Sequence, residues 1–314
     1  MSLGYRSLAL HLALLAALVA AGLLLPAYHQ GNLARILVLA VYAIGYNVLF
    51  GYTGLLSLGH AMFFGAGMYG LGLAMHLGQL PAIPAFMIGL ICAAVLSAVV
   101  ALLALRTIGV AFMIVTLMFA QAAFLTVLYY GEYTRGDEGF VIQQAARQIA
   151  GLDLTNPTIR YYAALTIFAA ALLITARMMH IRFGHVLIAI RENEERTRML
   201  GYDTFRHKFL AVVLSGTLSG AAGATYALLF GYVGATFTSV QYSIFPLLWV
   251  LLGGAGTTIG PLVGTIFMFY LIDYSSGITN AYLMVAGVVL VLLTVFARAG
   301  LMGEVRKRWV PWLP

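Results

Sequence analysis

Long apolar runs recur along almost the whole chain, separated by short polar breaks, and no other feature restricts its fold so severely. About 20 apolar residues make a helix long enough to cross a ~30 Å hydrocarbon core. Backbone groups find no water there, so such runs fold as helices. Charged residues make up only 9% of the 314 positions and apolar ones 62%, which leaves too little charge to coat a soluble globule. A soluble domain, a disordered chain and a nucleic-acid binder are excluded together.

The expectation is an all-α polytopic membrane protein, a single transmembrane domain over residues 1–314. About ten helical segments are predicted, near 8–25, 34–50, 57–77, 83–105, 108–130, 161–179, 209–231, 243–254, 261–276 and 280–297. The first runs through Leu23-Leu24-Leu25-Pro26 without a small-x-small cleavage pattern, so it reads as an uncleaved span. Segment 243–254 is short for a crossing, and 57–77 carries Gly59, Gly65, Gly67, Gly70 and Gly72. Irregular pieces survive at membrane depth when buried in protein or lining a cavity, and glycines also serve close helix packing. Both readings stay open.

The net charge of +7 is informative by position. Arg177, Arg182, Arg191, Arg196, Arg198, Arg206 and Lys208 form one basic cluster, and Arg298, Arg306, Lys307 and Arg308 another. Basic loops stay in the cytoplasm, so 180–208 is predicted to be a cytoplasmic loop. The loop at 131–160 mixes four acids with three arginines and is predicted to be external. Ten spans with both termini cytoplasmic satisfy these placements. Five spans starting inside and five starting outside would permit an inverted repeat, although the halves share no convincing sequence match.

Within the basic loop, Glu192 precedes Arg196 and Glu194 precedes Arg198 by four residues, the favourable order on a helix. A short helix is predicted over 186–200, ended by Gly201. Neither lysine follows a Gly-x-x-x-x-Gly run, so the chain has no P-loop. Cys92, the one cysteine, reads as a packing residue. His180 and His185 lack metal-ligand spacing, and no catalytic constellation is visible.

Several motifs recur in an order that resembles permeases of the branched-chain amino acid ABC importer family. They are Gly51-Tyr52-Thr53-Gly54-Leu55-Leu56-Ser57-Leu58-Gly59-His60-Ala61, Arg182-Phe183-Gly184, Ala189-Ile190-Arg191-Glu192-Asn193-Glu194 and Leu200-Gly201-Tyr202. Lys208-Phe209-Leu210-Ala211, Ser215-Gly216-x-x-Ser219-Gly220-x-x-Gly223-Ala224, Leu252-Gly253-Gly254-Ala255-Gly256-Thr257 and Gly260-Pro261 continue the resemblance, which spans about 34–303. It is nearest to the second permease kind, with the longer outer loop. Where members often carry Thr-Gly-Gly-x-Asp/Asn-Gly, this chain reads Thr134-Arg135-Gly136-Asp137-Glu138-Gly139.

The resemblance implies a subunit of an importer in a bacterial inner membrane, working with a second permease, two cytoplasmic ATPases and a soluble substrate-binding protein. ATP and magnesium would then sit on the ATPases, with no cofactor on this chain, and membrane lipid would surround it. The residues implied in ATPase coupling are Arg191, Glu192, Asn193, Glu194, Arg198, Leu200 and Gly201. Branched-chain amino acids, urea or amides, and aromatic acids all fit the resemblance. Candidate pathway residues are Gly51, Tyr52, Thr53, Gly54, Ser57, Gly59, His60, Phe63 and Phe64, because the half-polar break at 51–59 exposes backbone groups beside aromatics. Packing is the alternative for the glycines and aromatics, and a satisfied buried histidine for His60. Asp273 is the sole acid within a predicted span, and Arg35 is expected to snorkel toward a membrane surface. The rival function is an ion-coupled secondary transporter, which would stand alone and would need carboxylates or histidines at mid-membrane.

Overall fold

The computed structural model describes residues 5–149, 151–279, 281–296 and 299–308. In chain order the helices are α1 (Tyr5–Leu24), α2 (Ala27–Asn47), α3 (His60–His76), α4 (Ala82–Ala104), α5 (Val110–Tyr129) and a single turn α6 (Gly131–Thr134). After them come α7 (Pro157–His180), α8 (Arg182–Glu192), α9 (Glu194–Met199), α10 (Thr204–Phe230), α11 (Val240–Gly253), α12 (Gly260–Ser276), α13 (Tyr282–Phe296) and α14 (Gly300–Arg308). All ten predicted segments fold as helices. Five of them are long and apolar enough to cross a membrane: Ala27–Tyr52, Ala82–Ala104, Val110–Tyr129, Pro157–His180 and Thr204–Phe230. The first of these is α2 prolonged by a π-helical turn, Val48–Tyr52.

Local chemistry sets the helix ends. Pro157 opens α7 while the Asn156 side chain accepts from the Thr158 amide, and Asp203 and Ser239 cap α10 and α11 likewise. Gly231, at φ +74°, stops α10.

Large apolar side chains point outward. Ile83, Met87, Ile91, Val95 and Val99 form an exposed stripe along α4 at every fourth residue, whereas Ala85, Gly89, Ala93 and Ser97 face in. This inverts the soluble pattern and suits lipid outside with close helix approach inside. Cys92, expected to pack, is on the exposed side of α4.

α2 and α10 form the centre, with α3 and α4 packed on α10. Gly67 of α3 lies against the Gly220 carbonyl of α10, and Gly223 against the Phe64 carbonyl. Packing therefore accounts for the glycines of 57–77 beyond the break.

At one end of the bundle, the described residues of 131–149 and 151–156 fold as a cap. β1 (Phe140–Val141) pairs antiparallel with a strand that follows α10, Phe140 opposite Val233 and Val141 opposite Tyr232. β2 (Gln148–Ile149) and β3 (Leu152–Asp153) make a small hairpin. We call this the hairpin end. The opposite end carries α8, α9 and α14 and is the basic end.

Two short helices, α3 and α11, occupy the third place in each set of five segments. α3 starts inside the bundle, where the Ala61 amide donates to Ser243 Oγ at 2.9 Å. His60 and Ser243 are fully buried. α3 runs from there to the hairpin end and α11 to the basic end. Short helices in corresponding places of two halves are what an inverted repeat would show.

Candidate coupling and translocation site

The basic loop corrects one expectation. A single helix over 186–200 is replaced by α8 and α9, broken at Asn193, whose backbone is extended and whose side chain accepts from the Arg196 amide to cap α9. Ser, Thr, Asn and Asp favour helix starts over interiors because their oxygens compete for backbone amides. The break separates Glu192 from Arg196, and no ion pair joins them among the described residues. Glu194 and Arg198 do pair, at 3.3 Å, and Gly201, at φ +88°, ends α9 as expected.

Glu194 has a second partner that its sequence spacing does not reveal. Lys208 Nζ of α10 lies 2.6 Å from Glu194 Oε1, with only 8% of the lysine side chain exposed. Partial burial pushes the Glu194 carboxyl up, but the hydrogen bond and charge of Lys208, helped by Thr204 and Arg198, hold it below the usual carboxylate range. A carboxyl depressed in the folded state adds stability that is complete above its unfolded pKa and is lost as pH falls through the folded value. Lys208→Ala leaves Glu194 without this partner. The expected loss is about 1–3 kcal/mol, read as a lower melting temperature, with less acid sensitivity than the parent as pH falls below the usual glutamate range.

Apolar side chains stand exposed among the charges of this loop. Met199 and Leu200 are 85% and 72% exposed, and Tyr202 and Phe205 stand beside them. Arg191, Glu192, Asn193, Arg198 and Gly201 are also exposed.

Arg191 turns inward. Its guanidinium donates to the Gly51 carbonyl in the π-helical turn of α2, and a side chain at Gly54 would come within 3.0 Å of Arg191 Cγ. Gly54 has φ +77°, a conformation that favours glycine. The Asn47 side chain completes the joint, donating to the Thr257 carbonyl and accepting from the Gly256 amide, each at 2.9 Å. The 51–54 break, the loop after α11 and the basic loop thus meet at one point. Around them a cleft of about 640 Å³ opens at the basic end, lined by Gly51, Tyr52, Arg191, Glu192, Arg306 and Lys307 among others.

From Gly54 the chain folds back into the bundle. Tyr46 Oη donates to the Ser57 carbonyl at 3.0 Å, and the Leu58 amide donates to Thr116 Oγ1 at 3.2 Å. Thr53, Ser57, His60, Phe63 and Phe64 are all buried, and a side chain at Gly59 would strike the Thr116 carbonyl. The Ser215 hydroxyl donates to the Gly45 carbonyl at 2.6 Å, so the hydrogen between His60 Nε2 and Ser215 Oγ, 2.8 Å apart, comes from the histidine. His60 Nδ1 then accepts from no described group. The Tyr46 ring meets His60 edge-on at 4.5 Å.

Toward the hairpin end an aromatic plug continues from Phe64 through Tyr42 and Tyr242, with centroids 4.9 and 5.2 Å from Phe64. Beyond it a second cavity, about 300 Å³, is lined by Arg35, Leu39, Phe245, Trp249, Asp273 and neighbours. From Leu39 to Gly51, about 18 Å of α2 separates the two openings. Sequence reasoning missed Asn47, Ser215 and Ser243. Asn47 had a signal, an amide inside an apolar run, and Ser215 stood in a quoted Ser-Gly motif with no site role assigned to it.

Five helices long enough to span a membrane, with cavities at opposite ends of the bundle and a buried centre between them, suit a helical membrane transport protein. The sequence matches the family described as branched-chain amino acid transport system / permease component over residues 30–296, and the chain belongs to that family. It is 26% identical over 294 residues to the high-affinity branched-chain amino acid transport system permease protein LivM of Salmonella typhimurium, covering 85% of this chain and 68% of that one. The Escherichia coli protein of the same description is 25% identical over 291 residues, with the same coverage. A probable branched-chain amino acid transport permease protein LivM of Methanocaldococcus jannaschii is 29% identical over 160 residues, 46% of either chain. No solved structure matches significantly.

Proposed function

We propose that this chain is one permease subunit of an ABC importer in a bacterial inner membrane, carrying a branched-chain amino acid or related amino-acid-like solute. It works with a second permease, a soluble binding protein and two cytoplasmic ATPases that hold ATP and magnesium. The exposed face of α8 and α9 docks on an ATPase. The observation that carries this reading is the bond from Arg191 to the Gly51 carbonyl. It fastens the docking loop directly to the break in α2, so a shift of α8 moves the backbone between the cleft and the buried His60 region. A rigid lever with a fixed joint is what coupling to a remote engine requires.

An ion-coupled carrier finds less support, because no carboxylate is buried in the bundle among the described residues. Co-reconstitution with the four partners is the test. ATP-dependent uptake of radiolabelled leucine, insensitive to ion gradients, is expected. Uptake driven by a proton or sodium gradient without ATP would overturn the reading. Orientation is tested separately in intact cells, with Cys92 replaced by Ser. A cysteine at Asp137 is expected to react with an impermeant maleimide and one at Glu195 only after lysis; the reverse pattern would invert the scheme.

A further inference from the structure

The cavity at the hairpin end holds two opposite charges that do not neutralise each other. Along α2 every residue from Ala34 to Leu49 is buried except Arg35. A charge on a membrane helix is costly unless it meets water or a partner, and here the cavity supplies the opening. The Arg35 guanidinium rests 5.1 Å from the centre of the Phe230 ring and has no carboxylate within 4 Å among the described residues. Asp273, on α12, lines the same cavity, and its carboxylate makes no hydrogen bond or ion pair to a described residue. The same cavity has an aromatic wall. Phe245 and Trp249 stack at 5.9 Å with planes 14° apart, and Tyr242 meets Phe245 edge-on at 5.7 Å.

The geometry points to this cavity as a recognition site for a free zwitterionic α-amino acid with an apolar side chain. Arg35 receives the carboxylate, Asp273 the ammonium, and the Phe245–Trp249 wall the side chain. Guanidinium and carboxylate groups form the strong charge-assisted bonds that such ends need. About 300 Å³ is at the small end of ligand cavities, room for one amino acid. Urea carries no charge for either group, and an aromatic monoacid would leave Asp273 unpaired. The site thus narrows the solute class. The inference rests on the permease reading, because it places the site on the entry side of the path.

Fluorotryptophan placed only at residue 249 gives a fluorine signal from this wall in the assembled transporter, held in phosphatidylglycerol nanodiscs that offer no zwitterionic headgroup. Leucine is expected to shift that signal saturably. Leucinamide, lacking the carboxylate, and 4-methylpentanoate, lacking the ammonium, are expected to bind at least tenfold more weakly. Arg35→Gln should remove the preference for leucine over leucinamide and leave its preference over 4-methylpentanoate. Asp273→Asn should do the opposite. Such a split reads contacts to each end of the ligand, which a misfolded cavity would not produce. No shift with leucine, equal loss for all three compounds in both variants, or a shift that follows added phosphatidylethanolamine instead would each overturn the site. Uptake without a residue-249 response would remove the site and keep the permease; a response without ATP-driven uptake would do the reverse.

Discussion

Asp at both Met199 and Leu200 is expected to leave the protein folded and inserted but to abolish transport and ATPase co-purification. Both side chains stand in solvent, 85% and 72% exposed, so no core contact is lost. Surface changes of this kind usually alter stability by no more than about 0.5 kcal/mol. If the ATPase covers them, each loses about 1.5–3 kcal/mol of apolar burial, and each new carboxylate must also be desolvated. Together that exceeds a hundredfold in affinity. The measurement is the amount of ATPase retained with the purified permease, alongside uptake. Full retention with full uptake would return this surface to a solvated connector. These positions test docking more cleanly than Glu194 does, because charge reversal there leaves the nearly buried Lys208 facing a like charge and damages the fold itself.

Leu at Gly67 and Leu at Gly54 are expected to fail in opposite ways. The Cβ of the first would fall on the Gly220 carbonyl, and the backbones of α3 and α10 would have to separate. Overpacking costs about 1–3 kcal/mol where side chains can yield, and here the obstacle is backbone. The neighbouring Gly223–Phe64 contact would open with it. Little monodisperse protein should be recovered from membranes. Gly54→Leu presses first on Arg191 Cγ, 3.0 Å away, with the Arg191 backbone at ordinary contact distance, and adds the ~1–2 kcal/mol of a left-handed conformation. That variant should purify normally and transport little, because the Arg191–Gly51 joint is displaced. Normal uptake by Gly54→Leu would show that the joint is not on the coupling route. Gly59 is a poorer probe, since a side chain there strikes the Thr116 carbonyl and perturbs folding as well.

Much of the architecture could be read from residue order. Apolar length placed all ten helices, Gly201 ended α9, and the Glu194–Arg198 spacing gave a real pair. Each of these depends on residues within a turn or two of one another. The single helix over 186–200 was misjudged because favourable i,i+4 charges were weighed without the tendency of Asn193 to cap a new helix. For the break at 51–59, its irregular backbone was legible but its depth was not. Thr53, Ser57 and His60 turn out to be packed, and Gly51 and Tyr52 face the cleft.

The sequence by itself determined a helical membrane protein, its helix positions and the location of its basic loop. Those properties follow from transfer free energy summed over local segments, which needs no knowledge of neighbours. Tertiary structure alone decided that Arg191 reaches Gly51 across 140 residues, that Lys208 turns to Glu194, that Ala61 meets Ser243, and that Arg35 and Asp273 share one cavity. Inside lipid, apolar burial does not discriminate between helix pairings, so close packing and polar bonds choose them. Those choices depend on which small residues allow two backbones to approach, and only the assembled bundle brings such residues face to face.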